Sequence, residues 1–220
     1  MHPAIRYYLL NRNQGAMNFP QEPMPPLGRM MAFIDGENIV ARFEAMVQSG
    51  RVPYDRVRHK KDVYAWVEHA IDPALNVVLR ATYYTYTTGS AEQAELVATE
   101  IQSLAFRQYD VLGQQFAYRL GNSLHPQVFI KPKGRSGKGV DIQMTVDVLT
   151  NVYQDNLDTV FLMSGDGDYV PLVKESQRMG KRVVVAAFEK GLSPALRIAA
   201  DKFFELESAF FEPPPPQNAA

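Results

Sequence analysis

Cysteine is absent from the 220 residues, which excludes both a disulfide framework and a thiolate zinc site. Histidine is scarce as well. His2, His59, His69 and His125 stand singly, so zinc is poorly served, and none has the nucleophile-elbow context that a Ser-His-Asp arrangement needs. No apolar run approaches the ~20 residues of a membrane span. Near the start only Tyr7 to Leu10 forms a short apolar patch, followed by Asn and Gln with no convincing cleavage site. A soluble, cytoplasmic protein is the expectation. Excess positive charge is missing too: the net charge is −1, which argues against a surface coated for duplex nucleic acid. What is abundant is apolar residues, at 46%, enough for one substantial core and a single domain.

The chain divides into three by composition. Residues 1–28 are rich in Pro, Asn and Gln without a sustained period and read as an N-terminal extension. Residues 208–220 read as a Pro-rich tail, since Pro213 to Pro216 cannot continue a helix. Residues 29–207 between them alternate strand and helix signals. Strands are expected at Arg29–Ile34, Asn76–Thr87, Thr159–Met163 and Lys181–Phe188, with an edge strand near Phe203–Leu206. Gln114–Leu120 and Gln127–Lys131 look like two short antiparallel strands about Gly121-Asn122. Helical periods cover Asn38–Gln48, Lys61–Ala70, Ser90 to about Phe106, Val140–Tyr153 and Asp168–Met179, with a short helix from Ser193-Pro194. This order implies βαβ units: an α/β fold, a three-layer α/β/α sandwich with a mostly parallel central sheet.

Three acidic sites stand where apolar runs end or helices begin: Asp35 within Phe-Ile-Asp-Gly-Glu-Asn at 33–38, Asp141 within Lys-Gly-Val-Asp at 138–141, and Asp166 and Asp168 within Ser-Gly-Asp-Gly-Asp-Tyr at 164–169. A parallel sheet collects its strand C-termini along one edge, so carboxylates far apart in sequence can meet in one crevice. Gathered carboxylates repel unless a divalent cation neutralises them, and hard oxygen ligands point to Mg²⁺ or Mn²⁺. Metal-assisted phosphate chemistry is the leading reading. Each residue also has an ordinary structural role open to it. Asp35 and Asp168 suit helix N-caps, and Asp141 suits the favourable first turn of its helix. Asn38 could orient a ligand oxygen or simply occupy a first turn, and Ser164 could position a water or phosphate or be a turn hydroxyl. Asp147 lies six positions of about 100° beyond Asp141, well round the helix, and is expected to support the site or bond a neighbouring segment. The glycines flanking Asp166 suit a tight turn and close approach to a phosphate.

A local basic patch, Lys131, Lys133, Arg135 and Lys138, precedes Asp141 and is the candidate for phosphate contact. The segment Gly134 to Gly139 mimics a phosphate-binding P-loop but lacks its glycine spacing and its Ser or Thr after Lys138. On a strand, Tyr84 and Tyr86 share a face while Tyr83 lies on the other. Stacking on unpaired bases is conceivable there, yet such tyrosines are more often core with hydroxyls at the rim.

Taken together, the motifs at 33–38, 138–141 with Asp147, and 164–169 resemble the NYN domain, in its LabA-like branch of the PIN-like nuclease superfamily, over roughly residues 29 to 207. The resemblance implies a PIN-like sandwich and metal-dependent cleavage of RNA, single-stranded by expectation. It also implies an acidic site at Asp35, Asp141, Asp166 and Asp168, with Asn38 and Asp147 accessory. Where that final motif often ends in Phe, this chain has Tyr169. Two other readings compete. One is a regulatory module of the same fold that binds RNA without cutting. The other is a haloacid-dehalogenase-like phosphatase, although its second aspartate is replaced by Glu37.

Overall fold

A computed structural model describes residues 28–72, 76–106, 123–131 and 139–213. Its centre is a six-stranded, wholly parallel sheet in the order β5-β4-β1-β6-β7-β8. The strands are β1 (Gly28–Asp35), β4 (Asn76–Thr87), β5 (His125–Ile130), β6 (Thr159–Met163), β7 (Arg182–Ala187) and β8 (Lys202–Glu205). β6 is buried at every position and β7 at all but its first, as strands covered on both faces must be.

Helices cover both faces. Against one pack α1 (Gly36–Gln48), α2 (Ala91–Gln102) and α6 (Glu207–Phe210), around a core that includes Ile34, Phe43, Tyr83 and Phe161. Against the other pack α3 (Val140–Tyr153), α4 (Val170–Arg178) and α5 (Pro194–Ala199), around Phe33, Tyr84, Met144 and Leu162. The expected sandwich is therefore the observed one. No helix among the described residues is long and apolar enough to cross a membrane.

Residues 61–70 depart from the helix that their apolar spacing predicts. They contribute to an antiparallel hairpin of β2 (Arg58–Lys60) and β3 (Tyr64–Trp66). The turn places Asp62 at φ 59°, a conformation Asp tolerates, and its N–H donates to Glu44 at 2.9 Å. Side chains of β4 then take up the backbone: Thr85 Oγ1 donates to Val63 O at 2.6 Å and Tyr83 Oη accepts from Ala65 N at 3.3 Å. Trp66 Nε1 reaches Ala105 O at 2.8 Å. Tertiary bonds override a weak local period.

Three smaller differences are local. The helix from Ser90 ends at Gln102. β5 runs parallel to β4, while the partner expected at Gln114–Leu120 lies outside the described residues. At the other end, the tail boundary at 208 falls within α6, since Phe210 and Phe211 are buried in the core.

Candidate active site

The C-terminal edge of the sheet carries the acidic residues. Asp35 ends β1 and Ser164 directly follows β6, and these strands are paired neighbours. Asp35 caps α1, accepting from Asn38 N at 3.1 Å, and its other oxygen accepts from Ser164 Oγ at 2.8 Å. Ser164 Oγ in turn accepts from Asp166 N at 3.1 Å, and Asn38 Oδ1 accepts from Gly165 N at 3.0 Å. The two turns are thus sewn together by side chains that the sequence offers as ordinary caps. Capping and site-building are the same interaction here.

Asp166, not Asp168, is the capping carboxylate of the turn that follows β6. It accepts from Asp168 N at 3.0 Å and starts a single 3₁₀ turn, Gly167–Tyr169, before α4. The expected cap at Asp168 is corrected by the preceding extended residue, which already occupies that role. Asp168 is exposed on the rim. Asp141 arrives from the opposite face of the sheet, in the first turn of α3, and accepts from Tyr169 Oη at 3.1 Å. The hydroxyl that distinguishes Tyr169 from Phe therefore holds an acidic residue.

The charges of these carboxylates act on one another. Burial pushes Asp35 up to about 6, its two hydrogen bonds pull the other way, and the charges of Asp141 and Asp166 add to the rise. Asp141 is also raised, first by partial burial, with Asp166, Glu37 and Asp168 contributing. At this edge Asp35, Asp141 and Asp166 thus lie within electrostatic reach of one another and Asp168 within reach of Asp141, while Asn38 and Ser164 bond the turns between them.

Asp147 stands apart from that group. It accepts from Tyr84 Oη at 2.7 Å and from Gln143 Nε2 at 2.8 Å, tying α3 to β4. Of the basic patch, Lys131 is placed beside the site. Its Nζ donates to Glu37 at 3.0 Å and lies 5.2 Å from the centre of the Tyr86 ring. Lys133, Arg135 and Lys138 fall outside the described residues. Tyr83, Tyr84 and Tyr86 are all buried, so their rings are core and offer no face to a base.

Two further elements leave no local signal in the chain. Tyr86 Oη accepts from Gly139 N and Val140 N at 3.1 and 3.0 Å, capping from across the fold a helix with no side-chain cap of its own. The loop after β7 also packs onto the acidic turn: Ser193 N donates to Gly165 O at 2.9 Å. A Cβ on Gly165 would lie 3.1 Å from Gly191 O, and one on Gly167 2.8 Å from Ser193 Oγ. The glycines beside Asp166 therefore admit the chain's own loop, where the sequence suggested a phosphate.

The donors at this edge are all hard oxygens, as Mg²⁺ or Mn²⁺ requires. Among the described residues no three acidic or histidine side chains already form a metal-holding cluster. Mg²⁺ asks for less, since one or two carboxylates suffice when water and substrate phosphate complete its shell. Asp35 with Asp141 or Asp166 fits that requirement, and a cation would relieve the repulsion that raises Asp35.

Likeness to known proteins speaks to family and fold. The sequence pattern of the NYN domain matches residues 29–207. An uncharacterized protein from Methanocaldococcus jannaschii is 34% identical over 80 residues, 36% of this chain and 33% of that protein. The shared stretch thus spans about a third of that relative's length. A crystal structure of a protein of unknown function from Vibrio parahaemolyticus aligns with a TM-score of 0.55 at 18% identity, over 87% of this chain and 100% of the other. At that identity the likeness speaks for the fold alone.

Proposed function

Since the chain belongs to the NYN domain family, a PIN-like group of nuclease-like, RNA-related proteins, we propose that it is a metal-dependent ribonuclease acting on single-stranded RNA. Its motifs favour the LabA-like branch, its nuclease domain spans residues 29–207, and the cytoplasm is its compartment. The observation that carries the reading is the meeting of Asp35, Asp141 and Asp166 at one sheet edge, where each of the latter two raises the pKa of Asp35.

In this reading Asp35, Asp141, Asp166 and Asp168 hold Mg²⁺ or Mn²⁺. When bound, such a cation lowers the pKa of an attacking water and offsets charge on the scissile phosphate and leaving oxygen. The chain's own residues do the positioning. Ser164 and Asn38 lock the turns of Asp35 and Asp166 together. Tyr169 orients Asp141, and Asp147 anchors the helix that carries it. Lys131, with Lys133, Arg135 and Lys138 in the same patch, meets the backbone phosphates and makes affinity salt-sensitive.

The lack of a ready three-ligand cluster among the described residues favours a second reading, an RNA-binding regulatory module that does not cut. Labelled single-stranded RNA incubated with Mn²⁺ or Mg²⁺ separates the two. Cleavage by the native chain that Asp166→Asn lowers by about 10²-fold or more supports the nuclease. Binding without cleavage under both metals establishes the regulatory module, and equal cleavage by both proteins removes Asp166 from the chemistry. A haloacid-dehalogenase-like phosphatase lacks support, because Glu37 pairs with Lys131 and its charge faces solvent.

A further inference from the structure

Lys131, the one described cation of the patch expected to meet RNA, follows β5 on one flank of the acidic edge. A different cation stands on the opposite flank. Arg42 is exposed and sits one turn after Asn38 on α1. Helical side chains lean toward the helix N-terminus, which for α1 is the acidic edge. Its guanidinium lies over Gly191 in the loop that follows β7. A Cβ on Gly191 would stand 2.5 Å from both Cζ and Nε of Arg42, and Gly191 adopts φ 96°. The missing side chain leaves the room that the guanidinium occupies, and the backbone angle independently favours glycine there.

Direct contacts connect this group to the acidic centre. The carbonyl of Gly191 faces Gly165, Gly165 N donates to Asn38, and Asn38 N donates to Asp35. Among the described residues Arg42 makes no ion pair and no side-chain hydrogen bond. Other cations at this edge are committed, Arg197 to Glu189 at 3.1 Å and, on the far flank, Lys131 to Glu37 at 3.0 Å. An exposed arginine is usually just a solvated surface charge. A fork of donors seated on a left-handed glycine beside a carboxylate cluster, and left unneutralised, matches a phosphate instead.

We infer that Arg42 binds a backbone phosphate of the RNA, on the side of the acidic centre opposite Lys131; this rests on the ribonuclease reading above. Lys131 follows β5 and Gly191 follows β7, with β4, β1 and β6 between them. Four strand spacings of about 4.8 Å separate the two, roughly 19 Å, so the strand would cross the sheet edge with its scissile bond over Asp35 and Asp166.

The test uses the full chain and a fluorescein-labelled, phosphorothioate-linked oligouridylate, titrated with Mn²⁺ present over a series of salt concentrations. Arg42→Gln should weaken binding about tenfold and reduce the slope of log affinity against log salt by about 0.7, one single-strand phosphate contact. Arg42→Lys should restore the slope while recovering only part of the affinity, because a point charge lacks the fork. Unchanged affinity and slope in Arg42→Gln, with the native chain binding normally, overturns the inference and leaves the ribonuclease reading standing. A native chain that binds no oligouridylate overturns both. Circular dichroism of each variant separates lost binding from lost folding. Loss of binding in Arg42→Gln with unfolding, but full binding in a folded Gly191→Ala that displaces the guanidinium, also overturns it.

Discussion

A carboxylate taken out of water and set beside others ionises reluctantly, and at Asp35 this links site chemistry to stability. Its folded pKa of about 6 lies above the ordinary 3.8, so the native state holds an extra proton between about pH 4 and 6. Stability from this group is therefore greatest below that window and falls as pH rises through it, by roughly 3 kcal/mol for a shift of about two units. Asp35→Asn removes the charge while Ser164 Oγ can rotate to accept from the new amide. In metal-free buffer the variant should be about 1–3 kcal/mol more stable than the native chain at pH 7.5, after discounting the weaker neutral hydrogen bonds, and the gap should close toward pH 4. Urea unfolding at both pH values measures it, and an equal gap at both would count against the buried-charge account. The next residue makes a purely steric prediction. A Cβ on Gly36 would stand 2.3 Å from Tyr83 Cε1 and 2.5 Å from the carbonyl of Tyr84. Because one obstacle is strand backbone, Gly36→Ala should cost about 2–3 kcal/mol, whereas Gly139→Ala, which meets nothing within 4 Å, should not show that clash.

Among the elements, α3 shows how a strand can place the helix that carries Asp141. β4 holds it twice, through Tyr86 at its first turn and through Tyr84 on Asp147. Tyr86→Phe leaves two backbone N–H groups at the helix start without their acceptor and should cost about 1–2 kcal/mol. It should also lower RNA turnover more than RNA affinity, because Asp141 sits in that turn while Lys131 does not. Equal loss of both, measured as kcat against Kd, would mean that the strand end itself has shifted. The same two tyrosines mark the boundary of what sequence reveals. Strand alternation correctly put Tyr84 and Tyr86 on one face and Tyr83 on the other, but nothing local says that a hydroxyl 54 positions away will cap Val140. The hairpin at 58–66 was hidden for the same reason. Val63, Trp66, Val67 and Ala70 satisfy a helical period, and only bonds from Thr85, Tyr83 and Glu44 choose the turn instead. By contrast β1, β6 and β7 were legible as continuous apolar runs and β4 as a β-branched and aromatic one, and Asp35 and Asp166 were legible because one ends such a run and the other follows it through Ser164-Gly165.

Across the whole molecule the two edges of the sheet have opposite electrostatic characters. At the N-terminal edge, charges are paired: Arg29 meets Asp158 at 2.9 Å and Asp155 at 3.5 Å, and Lys181 also joins Asp155. Those partners hold Asp158 and Asp155 below the usual carboxylate range. At the C-terminal edge, Asp35 and Asp141 are raised instead. A protein that binds a cation at the second edge gains stability in proportion to RT ln(1 + [L]/Kd), about 2.7 kcal/mol at a hundredfold excess over Kd. For a chain of this length that is a rise of roughly 5–10 °C in Tm. Mn²⁺ should therefore raise the Tm of the native chain, and should do little for Asp35→Asn or Asp166→Asn. Asp158→Asn, at the paired edge, should start from a lower Tm yet keep the full Mn²⁺ increment. This pattern needs no RNA and no turnover, so it separates a cation site from catalysis. An increment that survives in both acidic-edge variants would move the cation elsewhere and leave the meeting of Asp35, Asp141 and Asp166 without its proposed ligand.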